Sequence, residues 1–441
     1  MALNSIIEAE VETAVIFGKT WKLHIDKVLN LSIKDNIRII EESISYLKDK
    51  GLKVIFDAEH YFDGYKSDPE YAIDVINAAY SSGAEISVLC DTNGGTLTKE
   101  LQQIVRKTVK KTKGKKGIHT HDDSGLAVAN TIISINEGVR HIQGTINGLG
   151  ERCGNADLCQ ILPNLNFKTK FNTLISNKPK EEQLEDLTSL SQYVYQLTNL
   201  SGRFNQPYVG RNAFTHKGGI HVDALLKTPK TYEHLDPKLV GNRRTLSVSE
   251  LSGRASIVKI AENLNLKILK RGDLANKVLR KIKNLESQGY HFENAQASVN
   301  LILLREAKLL GETFTIKSWK VTSGFDKKLS CRAEVFVEMF NDKYHEFADG
   351  DGPVHALDQA FKNAVMRRFP KLSNTKLINY KVTVIDSEMG TASVVRVFIE
   401  FEDDAHRWAT TAVSSNILEA STKALADGYS YKLAIDKLRI A

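Results

Sequence analysis

Gly117-Ile118-His119-Thr120-His121-Asp122-Asp123-Ser124-Gly125 places two imidazoles two residues apart, just ahead of a turn rich in Asp and Gly. On an extended strand residues i and i+2 face the same way, so His119 and His121 can offer ring nitrogens to one divalent metal ion. A His-x-His pair also arises by chance on surface strands, so its surroundings matter. Shortly after it, the apolar run before Gly144 ends in the glycine-dense loop Gly144-Thr145-Ile146-Asn147-Gly148-Leu149-Gly150-Glu151-Arg152-Cys153-Gly154-Asn155. An α/β barrel presents its polar groups at one rim in this way.

Short β-branched runs alternate with amphipathic helical segments through this region, the signature of repeated βα units around a parallel sheet. The runs are Thr13–Gly18, Lys53–Glu59, Ile86–Thr92, the His-x-His segment and His141–Asn147. Most begin with core-type residues and end in carboxylates, hydroxyls, imidazoles or amides, so polar chemistry collects at the carboxyl ends of the strands. Asp68-Pro69-Glu70 opens a helix with Pro near its first position; Ala72, Val75, Ile76, Ala79 and Tyr80 repeat at helical spacing as packing residues, and Gly83 stops it. Eight such units close a barrel, and five precede the change of pattern near Ile161-Leu162-Pro163. The expectation is a barrel lacking three units at its front.

The rest of the composition is that of a soluble globular protein. With 441 residues the chain has room for two or three domains, and its 60 Lys+Arg against 53 Asp+Glu leave a net charge of +7. Lys107, Lys110, Lys111, Lys113, Lys115 and Lys116 read as a solvated helix end rather than a nucleic-acid or CoA-phosphate patch. Cys90, Cys153, Cys159 and Cys331 form neither a zinc-type pair nor a disulfide framework, which fits a reducing, cytoplasmic setting. No apolar run approaches the roughly 18 residues of a membrane span, and Met1-Ala2-Leu3-Asn4 begins no signal-peptide pattern. Neither a nucleic acid nor a membrane is expected as a partner.

Helical patterns dominate from about Pro179 to Gln288, clearest over Glu182–Leu197 and Ser256–Leu285, with a boundary at Gln288-Gly289-Tyr290-His291. From Phe314 the pattern turns to alternating strands and then repeats. Val335–Phe340, Tyr344–Phe347 and a helix after Val354 parallel Val395–Ile399, Arg407–Thr410 and a helix around Asn416–Ala420. Each half reads strand, strand, turn, helix. Two such halves make a pseudo-symmetric module whose sheets can pack across a dimer axis, or bind a small ligand at a composite interface.

Six motifs together resemble the citramalate synthase branch of the 2-isopropylmalate and homocitrate synthase family. They are Phe56–Lys66 (Phe-Asp-Ala-Glu-His-Tyr-Phe-Asp-Gly-Tyr-Lys), Cys90-Asp91-Thr92-Asn93-Gly94-Gly95, the His-x-His segment, Gly144–Asn155, and Asn212–Ala224 with Val248–Arg254. The resemblance covers essentially the whole chain. It implies an α/β fold: a partial TIM (β/α)8 barrel at 1–165, helical linker subdomains at 166–310, and an α+β regulatory and dimerisation domain at 311–441. It also implies an acyltransferase that condenses acetyl-CoA with pyruvate, a homodimer in which one subunit's linker covers the other's barrel, and isoleucine as effector.

Residue by residue, the resemblance makes His119, His121 and Asn155 the ligands of a divalent cation, whether Zn²⁺, Mn²⁺ or Mg²⁺. Glu59 becomes the carboxylate beside the acceptor, Thr92 the hydroxyl that holds the acceptor's carboxylate, and His221 with Tyr232 an acid-base pair. By residue type alone Glu59 also suits a rim ion pair, Thr92 a turn cap, His221 a loop position and Tyr232 partly buried packing. The family's Asp-Thr-Thr-Leu-Arg-Asp-Gly-like first-strand motif, with its metal-binding Asp and oxyanion-stabilising Arg, is absent from these 441 residues. The expectation is therefore a citramalate synthase polypeptide that is poorly active alone. The alternatives are a 2-isopropylmalate synthase acting on 2-oxoisovalerate and a non-catalytic relative that dimerises and senses an amino acid.

Overall fold

All five apolar runs fold as strands in a computed structural model that describes residues 2–171, 179, 181–216, 219–246, 254–264, 266, 272–311, 313–326, 328–385, 390 and 393–438. They are β1 (Thr13–Lys19), β2 (Lys53–Glu59), β3 (Ile86–Asp91), β4 (Lys115–Thr120) and β5 (His141–Gln143). They pair in parallel and in chain order, with helices in the crossovers. The chain divides into two compact units, Met1–Phe214 with Asp236–Arg243, and Thr215–Leu235 with Arg244–Ala441.

The register gives the sheet two unlike faces. Val54, Phe56, Ala58, Leu89 and Ile118 lie in the core beneath the helices, and each fully buried large side chain among them contributes roughly 1.5–3 kcal/mol. The opposite face carries Val15, Phe17 and Lys19 of β1, Ile55, Asp57 and Glu59 of β2, Cys90 of β3, His119 of β4 and Gln143 of β5, matched row by row. At the β1 edge, Val15 is 52% and Phe17 72% exposed. Alternation thus separates the packing residues from those with chemistry.

Local rules explain the connecting helices. Asp68 accepts the Tyr71 N–H (3.1 Å) as N-cap of the helix Pro69–Ser81, with Pro69 in its first turn. Ala72, Val75, Ile76 and Ala79 are buried as expected, and Gly83 follows in the left-handed region (φ +105°). Tyr80 departs from the pattern and is 41% exposed. Its ring lies over Gly114, where a Cβ would come within 2.4 Å of it, so it packs on the turn before β4 rather than in the core.

The lysine run also departs from expectation. Its helix, Thr98–Lys111, ends before Lys115 and Lys116, which belong to β4. Lys116 is 3% exposed, its ammonium donating to the carbonyls of Lys113 and Gly114, and burial pushes its pKa down to about 8. Unfolded lysine titrates near 10.4, so below pH 8 folding carries the cost of a buried cation, and between about pH 8 and 10.4 that cost fades as the folded state releases its proton first. Lys116→Met should therefore gain stability relative to wild type below pH 8, and the advantage should shrink by about 2–3 kcal/mol by pH 10.5. Denaturant titrations of both proteins across this range check it; a pH-independent difference contradicts it.

β5 is shorter than its apolar run. It ends at Gln143, and Ile146–Gly148 form a 3₁₀ turn in which Asn147 is left-handed (φ 64°) and buried. The Asn147 carboxamide donates to Ser191 O (2.9 Å) and accepts from Ser191 Oγ (2.5 Å) and Gln206 Nε2 (3.2 Å). It anchors the helix Leu187–Leu197 to the barrel segment. That helix begins later than the expected Glu182, because residues 181–186 form turns.

In the second unit the amphipathic stretch expected over Ser256–Leu285 contains two helices, Arg254–Asn263 and Gly272–Ser287. The first closes with Leu266 N–H on Ala261 O (2.8 Å), a Schellman-type end in an Asn-Leu-Asn-Leu sequence of low helix preference. The repeat beyond it has one strand more per half than the sequence suggests. β6 (Thr315–Asp326), β7 (Lys328–Met339) and β8 (Asp342–Gly350) precede the helix Pro353–Met366; β9 (Lys376–Val384), β10 (Val395–Glu402) and β11 (Arg407–Ser414) precede Ile417–Leu438. The sheets are antiparallel, ordered β8-β7-β6 and β9-β10-β11. β6 and β9 each carry a register shift near their start, at Ile316/Ser318 and Leu377/Asn379, which breaks the period-2 alternation by which they would be recognised. Phe340 and Asn341, both with positive φ, turn β7 into β8 as a two-residue hairpin. Among the described residues no helix is long and apolar enough to cross a membrane.

Candidate active site

β4 ends at Thr120, and His121 continues its line through a bridge to Asn155. The loop after β5 is thereby laid against the end of β4. The His119 and His121 rings sit 5.1 Å apart, centroid to centroid, and His119 Nε2 faces Asn155 Oδ1 at 3.1 Å. His121 Nδ1 is buried with no hydrogen-bond partner. Burial lowers the His121 pKa, and the neighbouring His119 and Arg152 act in the same direction, so the ring favours its neutral, ligating form. Among the described residues no cluster of three His, Cys, Asp or Glu side chains could hold a metal. The donor set here is two imidazoles and a carboxamide oxygen, with an orphaned buried nitrogen, and it fits one divalent cation.

Glycines shape the loop that delivers Asn155. A Cβ on Gly154 (φ +100°) would lie 2.0 Å from Gly148 O, and one on Gly150 2.2 Å from Asn155 Nδ2. The carboxamide reaches its place because both positions are bare. Its Nδ2 donates to Leu149 O (3.1 Å), leaving Oδ1 toward the imidazoles. Arg152 then fastens three rim loops: Nε and Nη2 grip both Asp123 oxygens (2.7 and 2.9 Å), and Nη2 also donates to Thr92 O (2.8 Å). That pairing holds the Asp123 carboxyl below its usual range.

Glu59 ends β2 on the same face as His119, and its carboxylate is ion-paired with Lys19, its register partner on β1. Its carbonyl accepts from Thr20 N–H (3.0 Å). The Thr92 hydroxyl accepts the backbone N–H of His60 (2.8 Å), a residue held left-handed at φ 57° as the helix Tyr61–Ser67 begins. Thr92 therefore caps this turn, whatever else it binds. His60 Nδ1 meets Asp63 Oδ2 at 3.1 Å, and its ring lies 4.2 Å from that of His24.

In the second unit, His221 of the helix Gly219–Lys227 stacks on Tyr232, rings 4.2 Å apart and 28° from parallel. Both are exposed. Buried Glu233, beside Tyr232, is gripped by Arg244 and meets His216 Nε2 at 3.3 Å, which fixes the turn.

Three family descriptions match consecutive parts of the chain: HMGL-like over residues 2–194, homocitrate synthase post-HMGL domain-like over 208–290, and LeuA allosteric (dimerisation) domain over 293–433. The (R)-citramalate synthase of Geobacter sulfurreducens is 44% identical over 98% of this chain and 81% of its own length. The chain belongs to the (R)-citramalate synthase family. The family's enzymes from Sulfolobus acidocaldarius and Aquifex aeolicus are each 43% identical over 99% of this chain and 82% of theirs. As a member of the (R)-citramalate synthase family the chain is an acyltransferase-type enzyme, built from an HMGL-like barrel domain, a helical region and a dimerisation domain of two antiparallel sheets.

Of the residues singled out from the sequence, His119, His121 and Asn155 come together at one rim, Glu59 shares their face and Thr92 joins them through Arg152. His221 and Tyr232 pair with each other. Val248–Gly253 lies outside the described residues. Sequence reasoning missed Lys19, Asp57, Gln143 and Arg152. Arg152 and Asp123 were legible as opposite charges in two rim loops, whereas Lys19, Asp57 and Gln143 gain meaning only from strand register.

Proposed function

We propose that the chain is a citramalate synthase polypeptide that condenses acetyl-CoA with pyruvate on the carboxyl rim of its parallel sheet, in the route to isoleucine. The observation that carries this reading is the proximity of His119, His121 and the Asn155 carboxamide at that rim. A divalent cation held there supplies Lewis-acid polarisation of the 2-oxo acid. Nitrogen donors favour Zn²⁺ or Mn²⁺ over Mg²⁺.

The remaining chemistry falls to the chain's own groups. A proton must leave the acetyl methyl group, the new carbon-carbon bond forms at the pyruvate ketone carbon, and water then cleaves the thioester to release CoA. Glu59, ion-paired with Lys19, stands beside the acceptor, and Thr92 receives the acceptor's carboxylate. The stacked His221 and Tyr232 serve as the acid-base pair. The dimerisation domain makes a homodimer, with isoleucine as its effector, and four free thiols suit a cytoplasmic setting.

Val15 and Phe17 bear on turnover. Their face is the one that carries the site, and their exposure leaves that face open to water on the β1 side. Covering β1 with further strands should therefore raise turnover.

CoA release from acetyl-CoA with Mn²⁺ tests the reading, run on the chain and on a fusion that adds strands beside β1. Pyruvate should outperform 2-oxoisovalerate by about 100-fold or more in the fusion, because the larger acceptor needs room for two further methyl groups. The reverse preference would make the protein an isopropylmalate-forming enzyme, and absence of turnover in both forms would support a non-catalytic relative.

A further inference from the structure

Three strands contribute to a hydrogen-bonded chain on the site face. Gln143 of β5 is the register partner of His119 on β4, and its Oε1 lies 2.7 Å from His119 Nδ1. The other end of the same amide, Nε2, donates to Asp57 Oδ1 of β2 at 2.9 Å. Gly117 lies in the row of Asp57, Val88 and His141 and has no side chain to block this span.

Donor and acceptor chemistry leaves this chain one polarity. An ionised carboxylate only accepts, so Asp57 must face the NH₂ of Gln143, and the Gln143 carbonyl must then face His119. That carbonyl needs a donor, so His119 carries a proton on Nδ1, and in the neutral ring, the form that can ligate a metal, Nε2 is the bare nitrogen. Asn155 is fixed by the same logic, because Nδ2 is committed to Leu149 O and Oδ1 is turned to His119 Nε2 at 3.1 Å. With the ring neutral, two acceptors face each other, an arrangement relieved when a cation lies between them.

We propose that Gln143 and Asp57 are positioning residues that fix the His119 tautomer, aiming Nε2 at the metal position in advance of binding. The proposal rests on the metal reading of His119, His121 and Asn155. Neither residue touches substrate or metal; both act through the ring they orient. Outer partners of ligating histidines commonly set metal affinity over 10–100-fold.

The test uses the full chain with ¹⁵N-labelled histidine and no metal, and reads the His119 tautomer by long-range ¹H–¹⁵N correlation, with Mn²⁺ affinity followed by electron paramagnetic resonance. Wild type should show a single Nδ1–H form. Gln143→Leu should give a tautomer mixture and a 10–100-fold weaker Mn²⁺ affinity with an unchanged unfolding midpoint. The double variant Asp57→Asn/Gln143→Glu restores an acceptor toward His119 and a donor on the β2 side, and should recover both readouts. An Nε2–H form in wild type, or a Gln143→Leu protein with wild-type tautomer and affinity, overturns the proposal. A wild type that holds the Nδ1–H form yet binds no Mn²⁺ refutes the metal reading while the relay stands.

Discussion

Replacing His119 or His121 with Ala is expected to lower Mn²⁺-dependent citramalate formation by about 10³-fold or more, with the fold retained. Each imidazole is one of two nitrogen donors at the rim, and among the described residues no cluster of three His, Cys, Asp or Glu side chains stands ready to substitute. Losing a ligand removes both the site's affinity and the electrostatic stabilisation of charge on the acceptor oxygen, a term worth roughly 3 kcal/mol or more. The fold should survive because neither ring belongs to the hydrophobic core that carries the helix-covered face. Rates of CoA release with saturating pyruvate, beside far-ultraviolet circular dichroism of each variant, measure the two effects separately. A fall of less than tenfold in both variants would remove these histidines from the chemistry.

Phe401→Ala should destabilise the C-terminal module by about 3–5 kcal/mol. Phe401 is fully buried on β10, stacked on Trp408 of β11 at 5.7 Å and tilted against Tyr429 of the helix Ile417–Leu438 at 5.7 Å. The helix comes this close because Gly428 is bare: a Cβ there would lie 2.1 Å from the Phe401 ring. Trp408 Nε1 donates to Gly428 O (3.0 Å), tying strand and helix at the same spot. Truncation thus empties a space bounded by two large rings and a main chain that cannot easily collapse inward. Guanidinium unfolding followed by tryptophan fluorescence reads the loss. A change under 1 kcal/mol would mean that the module repacks freely.

The barrel segment was the most legible part of the sequence. A parallel strand covered on both faces reads as a near-continuous apolar run, so Val54-Ile55-Phe56 and Val88-Leu89-Cys90 announce themselves without tertiary information. Strand alternation exposed His119 and His121 as neighbours, and motif resemblance added Asn155. Where local rules compete with tertiary ones, legibility fell. Lys116 reads as a solvent residue, yet its place in β4 puts the ammonium under the sheet on two carbonyls. Bulged β6 and β9 lose their alternation at the first turn of the ladder. Gln143 and Asp57 are 86 residues apart and are joined only by the order of β2 to β5; periodicity in one strand cannot reveal a partner in another.

The rim's capacity to hold one cation is tested most directly by Mn²⁺ titration of the purified protein in the presence of pyruvate, followed by electron paramagnetic resonance. One ion per chain should bind to wild type, and that binding should be lost in the His119→Ala/His121→Ala double variant. Equal binding by both proteins, or none by wild type, would contradict the site described above.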